Sequence, residues 1–173
     1  MNETLKVLRE RRSIRKYKTE QVCDRELDAI LEAGTWAPTG MGKQSPVMVV
    51  VQDQETLKVL SAANAEIQGN PGTDPFYGAP TAVVVLADGE NPNWMRDGSL
   101  VMGNLMNAAH SVGVGSCWIN RALEYFDLPA GKGLLKKWNL PETLRGVGIC
   151  ILGYADGPAP TPKPRKENYI VRV

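Results

Sequence analysis

The chain has 173 residues, a formal net charge of +1 and 43% hydrophobic residues. This length fits one domain with a sizeable core, and the balanced charge argues against a general nucleic-acid-binding protein. Three cysteines at irregular spacing and a single histidine supply neither a disulfide framework nor a metal site. The chain contains no signal-peptide core and no apolar stretch of the roughly 20 residues that cross a bilayer. We therefore expect a cytoplasmic protein without a membrane partner.

A cluster of four cations occupies residues 11–17, in the sequence RRSIRKY. A short helix precedes it, in which Leu5 and Leu8 recur at a helical interval and are expected to face the core. The rigid guanidinium of arginine matches phosphate oxygens two at a time, and Ser13 adds a hydroxyl at the same place. The cluster is therefore either an anion-binding site or a solvated basic surface.

Four further helices are predicted from the spacing of apolar residues and from capping residues. Asp24 and Asp53 are the expected N-caps of two of them. The longest helix is apolar on nearly all sides, which indicates burial inside the domain or against a partner chain. The four helices cover about residues 24–34, 53–67, 95–112 (beginning at Met95 or Asp97) and 134–138.

Apolar runs bounded by glycine or proline predict four strands. Val83–Leu86 shows no alternation, which favours a strand covered on both faces. The proline-rich end of the chain is expected to be extended, with Tyr169–Val173 as a candidate edge strand. Four or five strands among about five helices predict one three-layer α+β domain over residues 1–173, with a tail at 158–173. The predicted strands are residues 47–51, 81–87, a short strand within 113–120, and 146–153.

Two glycine-containing loops resemble nucleotide-binding motifs but differ from them at decisive positions. Residues 37–44, APTGMGKQ, resemble the first motif of helicase ATPases. Gln44 stands where a Ser or Thr would hold magnesium, and the loop follows a helix instead of a strand. Gly113 and Gly115 lack the third glycine of a dinucleotide fingerprint, and a helix-to-strand turn explains Gly113. Such a turn still allows a flat ligand to lie against backbone amides. An ATPase remains the weakest alternative.

The sequence offers no protein nucleophile. His110 lies in the most apolar helix, where a core position is the usual one. Cys117 lies beside Trp118, with no neighbouring group that would lower the thiol pKa. An anion-binding cluster without a nucleophile indicates chemistry carried by a cofactor.

Taken together, five segments resemble those of the nitroreductase family, in its short form without long insertions. The resemblance spans nearly the whole chain; each segment is weak alone, but all five occur in the family order. It implies a central, mostly antiparallel sheet flanked by helices, and a homodimer with a domain-swapped C-terminal tail. It also implies FMN bound at the dimer interface. The five segments are residues 11–17, 37–46, 76–81, 113–118 and 153–154 leading to 164–166.

The resemblance assigns the phosphate of FMN to residues near both ends of the chain. Arg11, Ser13 and Arg165 would hold the phosphate, with Arg12 assisting. Arg15 would approach the N1/O2 edge of the flavin ring, where a cation stabilises the negative charge that develops on reduction.

The flavin ring is assigned to three other parts of the chain. Asn64 would contact its pyrimidine edge, and the backbone at Gly115 and Ser116 would lie against the ring. The third part, which would reach across from the other subunit, consists of Pro38, Thr39 and Gly40.

The chain departs from the family pattern at two places near this segment. Many relatives carry Asn in place of Gly42 and Pro-Trp in place of Ser45-Pro46.

The activity implied by the resemblance is that of an FMN-dependent oxidoreductase. Such an enzyme takes a hydride from NAD(P)H and reduces nitroaromatics, quinones or related acceptors by a ping-pong mechanism, with no catalytic side chain and no metal. A non-catalytic FMN carrier or redox sensor is the main alternative. A relative that fragments flavin or removes halogens reductively is a further one, although such relatives tend to carry lid insertions.

Overall fold

The computed structural model describes all of residues 1–173. A four-stranded sheet is flanked by six α-helices. The helices are α1 (Glu3–Glu10), α2 (Asp24–Thr35), α3 (Gln54–Ile67), α4 (Trp94–Ser111), α5 (Ala122–Asp127) and α6 (Pro129–Lys137). The strands are β1 (Pro46–Val51), β2 (Thr81–Asp88), β3 (Gly115–Ile119) and β4 (Leu144–Gly153).

The sheet is antiparallel throughout, with the strand order β1-β2-β4-β3. β2 lies inside the sheet, and its residues from Thr81 to Ala87 are all buried. The prediction of a strand covered on both faces is therefore confirmed for β2, because helices pack on each side of it.

Two hydrophobic cores, one on each face of the sheet, give the molecule three layers. Alternate residues of β2 point to opposite cores, so that Val84 belongs to one core and Val83 to the other. The first core includes side chains of α3, α5 and α6, and the second includes side chains of α2 and α4. The predicted three-layer α+β architecture is confirmed.

Helix α1 differs from its prediction. Leu5 and Leu8 are 51% and 55% exposed instead of facing the core, and α1 has no buried residue. The half-buried Val7 is the α1 residue that turns toward the molecule. The helix packs mainly against α4, so its apolar stripe finds no core in a single chain.

Two helix starts differ from the sequence predictions, and one helix was not predicted. Cys23, not Asp24, is the N-cap residue of α2, and Asp24 is its first helical residue. Asp53 does cap α3, because its carboxylate accepts a hydrogen bond of 2.9 Å from the Thr56 amide. Helix α5 was not predicted, and α6 begins at Pro129, which is five residues before Leu134, the predicted start.

The C-terminal tail follows β4 as an exposed, irregular segment. The candidate edge strand Tyr169–Val173 is wrong, since these residues pair with no strand. Tyr169, Ile170 and Val171 are each 70% exposed or more. None of the helices in the molecule has the length and apolar composition required to span a membrane.

Candidate functional site

Backbone pairing holds the basic segment 11–17 against the sheet. Ser13 pairs with Ser116 in a parallel bridge, and the Ile14 amide donates a hydrogen bond of 3.0 Å to the Ser116 carbonyl. At the other end, Tyr17 pairs with Ala155 just beyond β4, and its hydroxyl donates to the Ile14 carbonyl at 2.7 Å. The segment therefore runs beside the ends of β3 and β4 in a fixed position.

A cavity of about 610 Å³ lies between this segment and the C-terminal tail. Its charged lining consists of five arginines and one lysine, with no carboxylate. Five predicted site residues share this cavity, although Arg165 is more than 140 positions away from the others in the sequence. The predicted residues in the lining are Arg11, Arg12, Ser13, Arg15 and Arg165. The lining also contains Arg9, Thr161 and Lys163, which no sequence motif had indicated.

The guanidinium groups in this cavity are not equivalent. Arg12 donates from Nη1 to the carbonyls of Arg9 and Arg11, at 2.7 and 2.6 Å, so that nitrogen is satisfied within the chain. Arg11 Nη1, by contrast, is buried and has no hydrogen-bond partner. An unpaired buried cation is costly, whereas a bound anion would satisfy it. The cavity is thus suited to a phosphate or another polyvalent anion.

The glycine at the start of β3 allows the basic segment to come close to the sheet. A Cβ on Gly115 would lie 3.0 Å from both the Gly153 carbonyl oxygen and Ile14 Cγ1. The preceding Gly113 has a φ of +83°, which fits the predicted turn from α4 into β3. Gly115 and the buried Ser116 therefore lie directly beside Ser13.

The segment Pro38–Gly40 lies elsewhere in the single chain and does not line this cavity. The Gly40 amide donates a hydrogen bond of 3.0 Å to the buried carboxylate of Asp97, at the start of α4. Thr39 Oγ1 accepts a hydrogen bond of 3.0 Å from the backbone N–H of Gln44. Asp97 had been missed, because a carboxylate in the first turn of a helix is an ordinary sequence feature.

The two departures from the family pattern have structural counterparts. Gly42 has a φ of +65°, a backbone conformation that both Gly and Asn tolerate. Ser45 accepts a hydrogen bond of 3.0 Å from the side chain of Asn91. Both positions therefore shape the loop before β1.

Asn64 lies inside the protein and lines no part of the basic cavity. Its side-chain nitrogen donates to the Leu60 carbonyl at 2.9 Å, and its side-chain oxygen is buried without a partner. The structure does not bring this side chain to the surface of a single chain.

Neither thiol near the basic segment is suited to act as a nucleophile. Cys117 and Cys150 are both buried. Burial, together with nearby Cys117, raises the pKa of the Cys150 thiol to about 12, although Arg11 opposes this shift. His110 is half-buried near the C-terminus of α4 instead of in the core, where it had been expected.

The antiparallel three-layer fold, with a cation-lined cavity beside the sheet, defines a protein built to bind an anionic ligand. Residues 8–154 match the sequence model of the nitroreductase family, and the chain belongs to that family. A protein of Archaeoglobus fulgidus, whose name is that of a candidate NADH dehydrogenase/NAD(P)H nitroreductase, is 32% identical over 98% of this chain and 91% of its own length.

Solved structures agree with this assignment. A nitroreductase from Bacteroides fragilis, crystallised with bound FMN, has a TM-score of 0.92 and 31% identity, with 100% of both chains covered. A nitroreductase from Desulfitobacterium hafniense, also with bound FMN, has a TM-score of 0.88 and 28% identity, covering 100% of this chain and 99% of its own. An FMN reductase [NAD(P)H] of Bacillus subtilis is 38% identical over a shorter region, 51% of this chain and 33% of its own.

Proposed function

We propose that this FMN-dependent oxidoreductase takes a hydride from NAD(P)H and then reduces nitroaromatics, quinones or related acceptors in a second half-reaction. Family membership and the names of the relatives support the class of reaction. The observation that carries the proposal is the buried, unpartnered Arg11 Nη1 beside a cavity lined by six cations. That arrangement fits the phosphate of FMN.

The residues around the cavity fit the cofactor. Arg11, Ser13 and Arg165 would hold the phosphate through charge-assisted and neutral hydrogen bonds. Arg12, whose Nη1 is committed to backbone carbonyls, would fix the shape of the segment more than it would bind the ligand. When bound, FMN would supply the redox chemistry, accepting a hydride and passing electrons to the acceptor.

The flavin ring would lie toward the turn at Gly115 and Ser116. The exposed Arg15 would approach the N1/O2 edge of the ring and stabilise negative charge there. Asn64 would contact the pyrimidine edge only after a shift that exposes its unpartnered oxygen. Gly115 has no side chain, and the space that a Cβ would take is filled by Ile14 and the Gly153 carbonyl oxygen, which keeps this turn close to the basic segment where the ring would lie.

A homodimer belongs to the same proposal. Pro38, Thr39 and Gly40 lie outside the cavity of their own chain, so they would complete the site of a partner. Residues 1–173 would act as one domain whose tail, 158–173, packs on the neighbour. A cytoplasmic setting, where NAD(P)H is available and thiols stay reduced, is part of the proposal.

The experiment that tests the function is an absorption spectrum of the purified protein, followed by anaerobic addition of NADH or NADPH. We expect two visible flavin bands that bleach on addition and recover when a quinone or nitroaromatic is supplied. Recovery in a separate mixing step, after the oxidised nicotinamide has been removed, would establish the two half-reactions.

Other outcomes would replace the proposal. Flavin bands that do not bleach with either nicotinamide would favour an FMN carrier or redox sensor. A colourless protein that also takes up no added FMN would contradict the flavin assignment altogether.

A further inference from the structure

The loop that joins α2 to β1, residues 36–45, projects from the molecule with an unusual backbone. Met41 and Gln44 have φ values of +57° and +49°, and Gly42 between them has +65°. Met41 is 90% exposed and Trp36 is 78% exposed. Non-glycine residues adopt positive φ at an energetic cost, so this conformation has to be held in place by its surroundings.

Asp97 forms the central contact that holds the loop. It is 3% exposed, and its Oδ1 accepts a hydrogen bond of 3.0 Å from the Gly40 amide. Its Oδ2 accepts from the side chain of Asn91 at 3.4 Å, and Asn91 in turn donates to Ser45 Oγ at 3.0 Å. One buried carboxylate therefore connects directly to the middle of the loop at Gly40 and, through Asn91, to its end at Ser45.

A second neighbour holds Gly40 from another direction. A Cβ on Gly40 would lie 2.5 Å from Nδ2 of Asn93, so there is no room for a larger residue unless Asn93 moves. The backbone of Asn93 is held, because its N–H donates to Asn91 Oδ1 at 3.2 Å. The Gly40 backbone is thus confined between Asp97 and Asn93.

Packing alone does not explain a buried carboxylate at this position. Burying a charge is unfavourable, and an apolar side chain would fill the same space at lower cost. The N-terminal turn of α4 reduces the cost by its dipole. Of the two hydrogen bonds to the carboxylate, the one to Oδ1 comes from the loop, through the Gly40 amide.

We propose that Asp97 is a positioning residue, which fixes the Gly40 backbone and through it the Pro38–Gly40 segment in the geometry that meets the flavin ring of the partner subunit. This inference rests on the proposed function. Asp97 touches neither the cofactor nor the substrate, and it acts through one backbone amide.

The experiment compares FMN with riboflavin, which lacks the phosphate, as ligands of the parent and of Asp97→Ala. A loop that meets the ring affects both flavins equally. We expect Asp97→Ala to weaken both by about tenfold, the factor that corresponds to roughly one hydrogen bond to a charged group. Arg11→Ala should instead weaken FMN and leave riboflavin unchanged.

Matched variants separate positioning from a general loss of stability. Asp97→Asn keeps one oxygen that can accept from Gly40, so it should restore part of the affinity. Asp88→Asn makes the same chemical change at the last residue of β2, where the Asp88 side chain accepts a hydrogen bond from the Glu90 backbone amide. It should bind both flavins as the parent does.

A second readout follows the loop itself. Amide hydrogen exchange at residues 39–45 of the FMN-free protein should be faster in Asp97→Ala than in the parent, with exchange in β2 unchanged. If Asp97→Ala does not fold, Ser45→Ala removes one contact of the same network and should show the same changes, smaller in size.

The outcomes distinguish a failure of the positioning role from a failure of the proposed function. Unchanged affinity for both flavins in Asp97→Ala, or a loss confined to FMN, would overturn the positioning role while leaving the proposed function intact. A parent protein that binds neither flavin would overturn the proposed function, and the positioning role with it.

Discussion

Arg11 combines a position in the cation-lined cavity with a buried nitrogen that has no partner in the chain. Arg165 lines the same cavity but is exposed, and it donates to the Lys163 carbonyl at 2.9 Å. Because water screens exposed charges, the two arginines should contribute unequally to binding a phosphate. The half-buried Arg11, with its buried and unpartnered nitrogen, should contribute more.

We predict that Arg11→Ala lowers FMN affinity by about 1.5–3 kcal/mol, the usual effect of losing a charge-assisted contact with little solvent screening. Arg165→Ala should cost about 0.5–1 kcal/mol, as for an exposed ion pair. Titration of the FMN-free variants, followed by quenching of flavin fluorescence, measures both. Equal FMN affinities of Arg11→Ala and the parent would show that the phosphate does not bind in this cavity. Lys58→Ala, on the exposed face of α3, is the control.

Cys150 gives a pH-dependent prediction at the same scale. Its pKa is raised from the ordinary 9.0 to about 12, first by burial and then by Cys117. Above pH 9 the unfolded chain loses this thiol proton while the folded chain keeps it, so stability must fall as the pH rises. We expect the free energy of unfolding in urea to decrease between pH 8 and pH 10.

Two cysteine variants test this assignment. Cys150→Ala should flatten part of the pH dependence, whereas Cys23→Ser, at the exposed cysteine, should leave it as in the parent. An identical slope in Cys150→Ala would show that other groups cause the alkaline loss. Tyr17, whose pKa burial also raises, is the first of these to examine.

At the scale of elements, α5 illustrates what local sequence patterns do not contain. It has only six residues and no side-chain cap, so neither periodicity nor a capping signal reveals it. Its place depends on Gly146 of β4, where a Cβ would collide with the Ala122 carbonyl at the start of the helix. The helix therefore forms against a strand more than twenty residues further along the chain.

Two glycine substitutions separate this close approach from ordinary helix preference. Gly146→Ala should destabilise the protein by about 1–3 kcal/mol through overpacking. Gly133→Ala, inside α6 where a Cβ meets no atom within 4 Å, should stabilise it by about 0.5–1 kcal/mol. Thermal unfolding of the two variants should move in opposite directions. A Gly146→Ala protein as stable as the parent would mean that α5 moves away from β4 without cost.

At the scale of the whole molecule, the sequence predicted the layers and the strand that is covered on both faces, because burial leaves long apolar runs. It also predicted that Arg11 and Arg165 belong together, but only through the order of family motifs. The link from Asp97 to Gly40 could not be predicted, since it joins residues 57 positions apart through a single backbone amide. The inward orientation of Leu5 and Leu8 was wrong because periodicity identifies an apolar face without identifying its partner.

Those unpartnered faces lead to the prediction of a dimer. Leu5 and Leu8 on α1 and Leu100 on α4 are 51%, 55% and 48% exposed. Gly103 lies one turn beyond Leu100 on α4, and a Cβ there would meet no atom of the chain within 4 Å. Exposed apolar side chains grouped on neighbouring helices are typical of a surface that another chain covers. We expect a particle of twice the 18.9 kDa chain mass by light scattering.

Leu100→Glu should weaken the dimer at least about tenfold, because it places a charge where the partner chain would cover a leucine. The matched control is Val59→Glu on α3, a residue that is 54% exposed and lies on the other side of the sheet. This variant should remain dimeric at the same concentrations.

Since the Pro38–Gly40 segment would reach FMN only across the interface, Leu100→Glu should also lose affinity for riboflavin as its dimer dissociates. A monomeric Leu100→Glu protein with the parent's riboflavin affinity would show that one chain contains the complete ring site.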